Sequence, residues 1–431
     1  MLTIQQIRKD KVQVVKGLEK RGWSNDQLKL IDTIIELDDN RKESQQRLDG
    51  YLQSQNLLSK SIGKLYKEGK TEEANEAKQE VLVLKEKSQV ENEAQKSIKE
   101  ELDQQLLNVP NLPHELVKAG QTEEDNEVVQ DWDSDLPLLD EGSQPHWNLA
   151  KTFNIIDFEL GAKITGSGFP LYRNHGARLQ RALISFFLDS AVEAGYEEIM
   201  PPLLVNDASA RATGQLPDKE GQMYHFPGDN LYLIPTAEVP ITNIYRDTIL
   251  DISDLPIKLT GYTPCFRREA GSYGADVKGL NRVHQFDKVE IVQITDQENS
   301  YDVLDEMVSH VKGLLHKLEL PFRILRLCGG DLGFTSALTY DFEVYSAAQK
   351  RWLEVSSVSN FETYQSNRLK LRYKNHEGQK TLAHTLNGSA LALARIVASL
   401  LENNQKGGQI VIPSALRPYF GSESIPLNDK N

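Results

Sequence analysis

From Ile34 to Leu65, apolar side chains return at spacings of three and four: Ile34, Leu37, Leu48, Tyr51, Leu58, Ile62 and Leu65. Arg41, Ser44 and Gln55 fill the same seam. Such spacing places one stripe along one face of an α-helix, and sustained over this length it predicts a coiled coil. A break at Gly69-Lys70-Thr71 is followed by a second run at Ala77, Val81, Leu84, Ile98 and Leu102, and no proline intervenes before Pro110. Two long helices joined by so short a break fold back on each other as an antiparallel hairpin. At about 1.5 Å of rise per residue, a helix of roughly 40 residues makes an arm roughly 60 Å long.

The texture changes after residue 109. Residues 110–146 form a linker rich in Pro, Asn, Asp and Glu, including Pro110-Asn111-Leu112-Pro113 and Glu123-Glu124-Asp125-Asn126-Glu127. Residues 147–431 read as a mixed domain. Ala177 to Ala194 is amphipathic and predicts a helix, Glu197-Glu198-Ile199-Met200 a strand, and Ser389 to Asn403 a second helix. Runs at 231–234, 259–266, 285–294 and 341–346 predict further strands. Consecutive strands without helices between them point to a mainly antiparallel sheet. The expected class is therefore α+β: a helical arm over 1–109, a linker over 110–146, and a sheet flanked by helices over 147–431.

Charge and cysteine content narrow the function. The chain carries a net charge of −14, yet residues 1–110 hold 19 Lys and Arg against 20 Asp and Glu, leaving −13 for the remainder. A basic face on the arm is thus compatible with a nucleic-acid partner, whose phosphates need local positive charge. No run of 18 or more apolar residues exists, and the N-terminal Met1-Leu2-Thr3-Ile4-Gln5-Gln6 lacks the apolar stretch of a signal peptide. Two cysteines, Cys265 and Cys328, are too few for a disulfide framework and fit a reducing cytoplasm.

The chemistry-bearing residues cluster in three stretches. In Cys265-Phe266-Arg267-Arg268-Glu269-Ala270-Gly271-Ser272, Arg267 and Glu269 are two apart, which on a strand puts them on one face. Gly271 to Gly274 reads as a turn, and His284 to Glu290 as the returning strand. A hairpin of this kind can hold a nucleotide: arginine meets phosphate, glutamate accepts from an amino group, and Phe286 offers a ring to a base. An isolated Arg-x-Glu is more often a surface ion pair. Arg395 falls among Leu393, Ala394, Ile396 and Val397, so it needs an anionic partner, either a polyphosphate or a neighbouring carboxylate. Thr236-Ala237-Glu238, Glu290 and Glu354-Val355-Ser356-Ser357 add carboxylates able to hold an ammonium group and magnesium.

Taken in order, these stretches resemble a seryl-tRNA synthetase of the common bacterial and eukaryotic type, a class II aminoacyl-tRNA synthetase. Gly168-Phe169-Pro170-Leu171 through Ile199-Met200-Pro201-Pro202-Leu203-Leu204-Val205-Asn206 is similar to the first class II motif, Cys265 to Glu290 to the second, and Leu386 to Glu402 to the third. Ala212-Thr213-Gly214-Gln215-Leu216-Pro217 and Pro235-Thr236-Ala237-Glu238-Val239-Pro240 resemble the family's serine-binding region.

The resemblance implies ATP-dependent activation of L-serine and its transfer to the 3′ end of tRNA(Ser), with tRNA(Sec) a second candidate acceptor. It implies Arg267 on the α-phosphate, Glu269 on the adenine amino group with Arg268 between them in the same nucleotide-binding stretch, and Phe286 and Val283 around adenine. Arg282 is a further candidate phosphate contact. Glu354, Val355, Ser356 and Ser357 would bind ATP, with Glu354 and Ser357 on Mg2+, and Arg395 would meet the γ-phosphate. Thr236, Ala237, Glu238, Glu290, Asn387 and Ser389 would bind serine. It further implies a homodimer with Pro202 at the interface, and an arm that reaches the tRNA. One departure stands out: Ser389-Ala390-Leu391-Ala392-Leu393-Ala394 precedes Arg395 where many relatives carry glycines. Alanine favours a helix over glycine by up to about 1 kcal/mol.

Overall fold

The structure, a computed structural model of the chain, describes residues 1–139, 141–218, 220–269 and 278–427. It divides into two units, Met1–Glu19 with Trp23–Pro110 and Lys20–Gly22 with Asn111–Asn431.

The first unit contains the helical hairpin. Helix α1 spans Asn25–Lys67 and helix α2 spans Thr71–Leu107. Ser24 starts α1 with a capping box, its hydroxyl accepting from Gln27 N–H while the Gln27 side chain accepts from Ser24 N–H. Gly69, at φ +76, lets the chain reverse between the helices. Ile34, Leu37, Ser44 and Leu48 of α1 are buried, as are Ala74, Ala77, Leu102 and Leu106 of α2. Farther along, Tyr51, Leu58, Ile62, Leu65, Val81, Leu84 and Ile98 are only half-buried. Two helices alone cannot close a seam that a third element would cover. Polar links therefore supplement it: Arg47 donates to Glu91 at 2.8 Å and Tyr66 to Asn75 at 2.9 Å.

Asp38, on the seam face of α1, is 1% exposed and meets Arg8 at 2.5 Å, Arg41 at 2.7 Å and Lys42 at 2.8 Å. Burial on its own raises a carboxyl pKa, but the bonds from Lys42, Arg41 and Arg8 outweigh it and lower the value to about 2. This contribution to stability is complete above the ordinary aspartate pKa and is lost as the pH falls through about 2. Asp38→Ala should destabilise the first unit by about 2 kcal/mol in chemical denaturation at pH 7. The deficit should narrow as the pH approaches 2.

The second unit is built on an eight-stranded sheet. In chain order its strands are β1 (Glu127–Gln130), β2 (Glu197–Glu198), β3 (Ile257–Phe266), β4 (Gln285–Thr295), β5 (Phe322–Arg326), β6 (Leu338–Ser346), β7 (Arg351–Asn360) and β8 (His384–Ala392). They lie in the order β1-β5-β6-β7-β8-β4-β3-β2, antiparallel throughout except for the parallel β2–β3 pair. Helices α3 (Asn174–Glu193), α4 (Ser300–Lys317) and α5 (Leu393–Asn403) pack on it. Leu183 and Phe187 of α3, Met307 and Val311 of α4, and Ile396 and Val397 of α5 share one core with Ile291, Phe342 and Val358 of the sheet.

The α+β architecture with a mainly antiparallel sheet is as expected, but several boundaries differ: residues 127–130 of the expected linker form β1 of the sheet, and α3 begins at Asn174 rather than Ala177. The strand at 197–200 shortens to β2. The helix expected from Ser389 begins only at Leu393, because Ser389 to Ala392 remain in the ladder with β4, through Glu290↔Ser389 and Lys288↔Ala392. Alanine and leucine favour a helix by propensity, and here the tertiary hydrogen-bond ladder wins.

Candidate functional site

Strands β3, β4, β8 and β7 lie side by side, and one face of this group carries the polar residues. Glu290 sits across from Ser389, and Asn387, two residues before Ser389, shares its face. Ser359 is opposite Asn387, which places Ser357, two residues earlier, on that face as well. Glu354 and Ser357 are three positions apart, so a regular strand would point them to opposite faces. A bulge lets β7 place both on one side, since Phe342 pairs with Ser356 while Glu343 pairs with Glu354. The Ser357 hydroxyl then donates to Glu354 at 3.4 Å.

Against this face packs the segment carrying Thr236, Ala237 and Glu238, all buried. The Thr236 hydroxyl donates to Glu290 Oε2 at 2.9 Å and accepts from Glu238 N–H at 3.2 Å. Lys288 Nζ donates to Thr236 Oγ1 at 2.9 Å and pairs with Glu290. Glu238 accepts from Gln365 Nε2 at 2.6 Å, and Gln365 in turn accepts from Thr385 at 2.7 Å. Burial, then repulsion from Glu290, pushes the Glu238 carboxyl up to about 7, against the pull of Gln365, Lys288 and Arg267.

Arg267 adjoins this cluster. Its Nε donates to Pro235 O at 3.4 Å, next to Thr236, and its guanidinium lies 5.4 Å from the Phe286 ring centroid. The strand reading of Arg267 and Glu269 does not hold. The β3–β4 ladder ends at Phe266↔Gln285, and beyond it Arg268 N–H and Glu269 N–H donate to Gln222, with Glu269 at φ +48. Glu269 therefore reaches back to an ion pair with Arg282. Arg268 is exposed and Val283 buried. Glu269, Arg282 and Val283 line a pocket of about 330 Å3 with Phe169 and His284, whose rings stack at 5.4 Å. The turn Gly271 to Gly274 lies outside the described residues.

Arg395 stands at the start of α5. It donates from Nε to Asn281 O at 2.9 Å and from Nη1 to Glu354 O at 2.6 Å, with the Glu354 carboxylate 3.7 Å away. Arg267 and Arg395 thus flank one short segment, since Arg267 N–H donates to His284 O at 2.9 Å. Val355 and Ser356 are buried, and the Ser356 hydroxyl donates to Ser389 O at 2.6 Å. Pro202 is exposed, close in sequence to Met200, which is 90% exposed.

Lys288, Gln365 and Asn281 belong to the site and were not foreseen. Lys288 was legible, being two residues from Glu290 on one strand. Gln365 was not, since only packing of its helix, Thr363–Leu369, brings it to Glu238.

Oxygen donors dominate around Glu354. Asp341, opposite Ser357, has a buried Oδ1 without a hydrogen-bond partner, and burial followed by repulsion from Glu354 pushes its carboxyl well up. Such a set suits a hard cation. No group of three or more His, Cys, Asp or Glu side chains able to hold a metal by themselves occurs among the described residues.

Two family domains match the chain: the seryl-tRNA synthetase N-terminal domain over residues 1–113, and the tRNA synthetase class II core domain (G, H, P, S and T) over residues 224–404. The serine–tRNA ligase of Salinibacter ruber is 49% identical, with 99% of each chain covered, and that of Prosthecochloris aestuarii is 45% identical at the same coverage. Among solved structures, seryl-tRNA synthetase from Pyrococcus horikoshii complexed with ATP superposes with a TM-score of 0.90 at 30% identity, covering 100% of both chains. Cytoplasmic serine–tRNA ligase from Naegleria fowleri in complex with AMP gives 0.88 at 25% identity, over 100% of this chain and 99% of that one.

Folding raises the Glu238 pKa from 4.5 to about 7, so the folded chain takes up a proton between these values and loses stability as the pH rises through that window. Glu238→Gln, neutral throughout, should match the parent near pH 5 and exceed it in thermal stability at pH 8. Equal pH dependence of the two melting temperatures would contradict the assignment.

Proposed function

The chain belongs to the seryl-tRNA synthetase family, and on that premise we propose how its polar face divides between amino acid and nucleotide. The enzyme activates L-serine with ATP and charges tRNA(Ser). In the assignment proposed here, Thr236, Ala237, Glu238, Glu290, Asn387 and Ser389 bind serine. Arg267, Arg268, Glu269, Val283, Phe286, Arg395 and the run Glu354, Val355, Ser356 and Ser357 bind ATP.

One observation carries this division. Arg267 reaches both halves, bonding beside Thr236 through Pro235 and covering the Phe286 ring. A cation there can bring the serine carboxylate and the α-phosphate together, which is the encounter that adenylate formation requires. The ammonium group is accommodated by Glu290 and Glu238, and the serine hydroxyl by Asn387 and Ser389. A pocket that hydrogen-bonds a hydroxyl rejects an analogue lacking one by about 10⁴–10⁵. Alanine is excluded on that ground, and threonine by the space its methyl would need.

The serine carboxylate attacks the α-phosphorus in line, and pyrophosphate leaves with the bonding pair. The terminal ribose hydroxyl of the tRNA then attacks the activated carbonyl, and AMP leaves. Neither step needs a side-chain nucleophile, so the protein acts by positioning and by placing Arg267 and Arg395 against developing charge. Glu354 and Ser357 would hold Mg2+, which when bound with ATP neutralises phosphate charge.

Four further parts of the reading are proposals. The first unit serves as the tRNA-binding arm, supported by its match to the family's N-terminal domain. The chain works as a homodimer with Pro202 at the interface, supported by the exposure of neighbouring Met200; sedimentation as a monomer at micromolar concentration would count against it. It acts in the cytoplasm, a placement supported by its two free, buried cysteines, and it accepts tRNA(Sec) as well, which a serylation assay with that tRNA decides. No helix among the described residues is long and apolar enough to cross a membrane.

Arg267→Ala should lower serine-dependent exchange of labelled pyrophosphate into ATP by about 10³-fold, as expected for losing a pre-placed charge at the reacting centre. Near-normal exchange would refute the assignment. Deleting residues 30–100 should leave that exchange within about twofold while abolishing tRNA charging, because the arm carries no part of the adenylation site. Undiminished charging by the deleted form would remove the arm from tRNA recognition.

A further inference from the structure

Behind the nucleotide half of the site lies a buried polar network that the reaction itself does not use. His146 is 0% exposed, as is Glu402 near the end of α5. The His146 N–H and Nδ1 both bond Glu402 Oε1, at 2.9 and 2.6 Å. On the other side of the ring, Nε2 accepts from Leu280 N–H at 2.8 Å. A backbone amide can only donate, so Nε2 bears no proton and Nδ1 carries it. The ring is neutral and fully committed, linking α5 to the 278–283 segment. Gly279, at φ +67, packs so closely on the ring that an added Cβ would fall 2.2 Å from Nε2.

A second route joins the same two places. Gln349 Nε2 donates to Glu402 at 3.0 Å, and its Oε1 accepts from Asn281 Nδ2 at 2.9 Å. Asn281 O is the acceptor for Arg395 Nε at 2.9 Å. Arg395 and Glu402 are seven residues apart on one helix, about 10 Å along its axis. Arg395, Asn281, Gln349 and Glu402 therefore form a closed circuit, with His146 bracing the adjoining Leu280. The segment so held continues into Arg282, Val283 and His284, which line the pocket beside Glu269.

A fully buried carboxylate is a poor device for stability alone, since well-packed apolar groups of the same volume do as well or better. What such a circuit supplies is geometry. We infer that His146, Glu402 and Gln349 are positioning residues that fix the 278–283 segment and the Arg395 guanidinium relative to each other before ATP binds. The inference rests on the nucleotide assignment proposed above.

Paired substitutions at one position test it in the full chain. Asparagine in His146→Asn places its amide near the former Nδ1 and keeps the Glu402 bond while losing Leu280. Glutamine in His146→Gln reaches the former Nε2 position and keeps an acceptor for Leu280. In serine-dependent pyrophosphate exchange, His146→Asn should raise the KM for ATP about tenfold with the KM for serine little changed, and His146→Gln should raise it less. Amide hydrogen exchange should show Leu280 losing protection in the asparagine variant. Equal rises in the two variants would overturn the role given to the Leu280 contact. Should either variant fail to fold, Gln349→Leu decides: a raised KM for ATP supports the circuit, and an unchanged one overturns it. Unchanged ATP KM in folded His146 variants would leave the network merely structural. A parent enzyme without serine-dependent exchange would instead remove the functional reading, and this inference with it.

Discussion

Two carboxylates, Glu238 and Glu290, are buried within reach of a single lysine, and the polar face is organised around keeping them there. Burying one uncompensated carboxylate is costly, and burying two together more so. Each is accommodated differently. Glu290 takes Lys288 and the Thr236 hydroxyl. Glu238 takes one amide hydrogen from Gln365 and keeps a pKa near neutrality. Gln365 is oriented in turn by Thr385 of β8, so a strand on one side of the pocket controls a carboxylate on the other. The antiparallel ladder is what makes this possible, because it fixes Glu290, Ser389 and Asn387 in one register.

The same ladder explains why the nucleotide half depends on irregularities. A regular strand cannot put Glu354 and Ser357 on one face, and the bulge in β7 does so. A regular β3 would carry Arg267 and Glu269 as same-face neighbours. Ending it at Phe266 instead frees Arg267 to cover Phe286 and sends Glu269 to Arg282. Departures from regular geometry at functional positions are what a sheet requires if residues close in sequence are to converge on one ligand.

These facts also mark what was legible in the sequence. The helical hairpin could be read because its signal is local and repeated, recurring at spacings of three and four from Ile34 to Leu65 and again from Ala77 to Leu102. The antiparallel character of the second unit followed from strands without intervening helices. The carboxylates and arginines of the site were individually weak signals that became specific only in combination and order. The start of α5 could not be read, since Ser389-Ala390-Leu391-Ala392 suits a helix by propensity and its place in the ladder is decided by β4. Nor could Gln365, His146 or Glu402 be read, because their partners lie 127, 134 and 56 residues away for Glu238, Leu280 and Ser346 respectively. Buried polar networks are tertiary objects, and periodicity has nothing to say about them.

A pocket that holds a carboxyl near neutrality also couples ligand charge to protonation. Lys288 already faces Glu290, and Arg267 is turned toward Phe286 and Pro235, so Glu238 is the group with no cation bonded to it. An ammonium group arriving beside it favours the ionised form and draws its pKa down. In the assignment proposed here, serine binding near pH 7 therefore expels the fraction of a proton that Glu238 retains in the empty pocket. The charge that greets the substrate is completed by the substrate itself. A permanently ionised pair at that depth would instead burden the folded chain whenever the pocket stood empty. Partial protonation of Glu238 thus serves both states, neutral enough to be buried alone and acidic enough to ionise when a cation joins it.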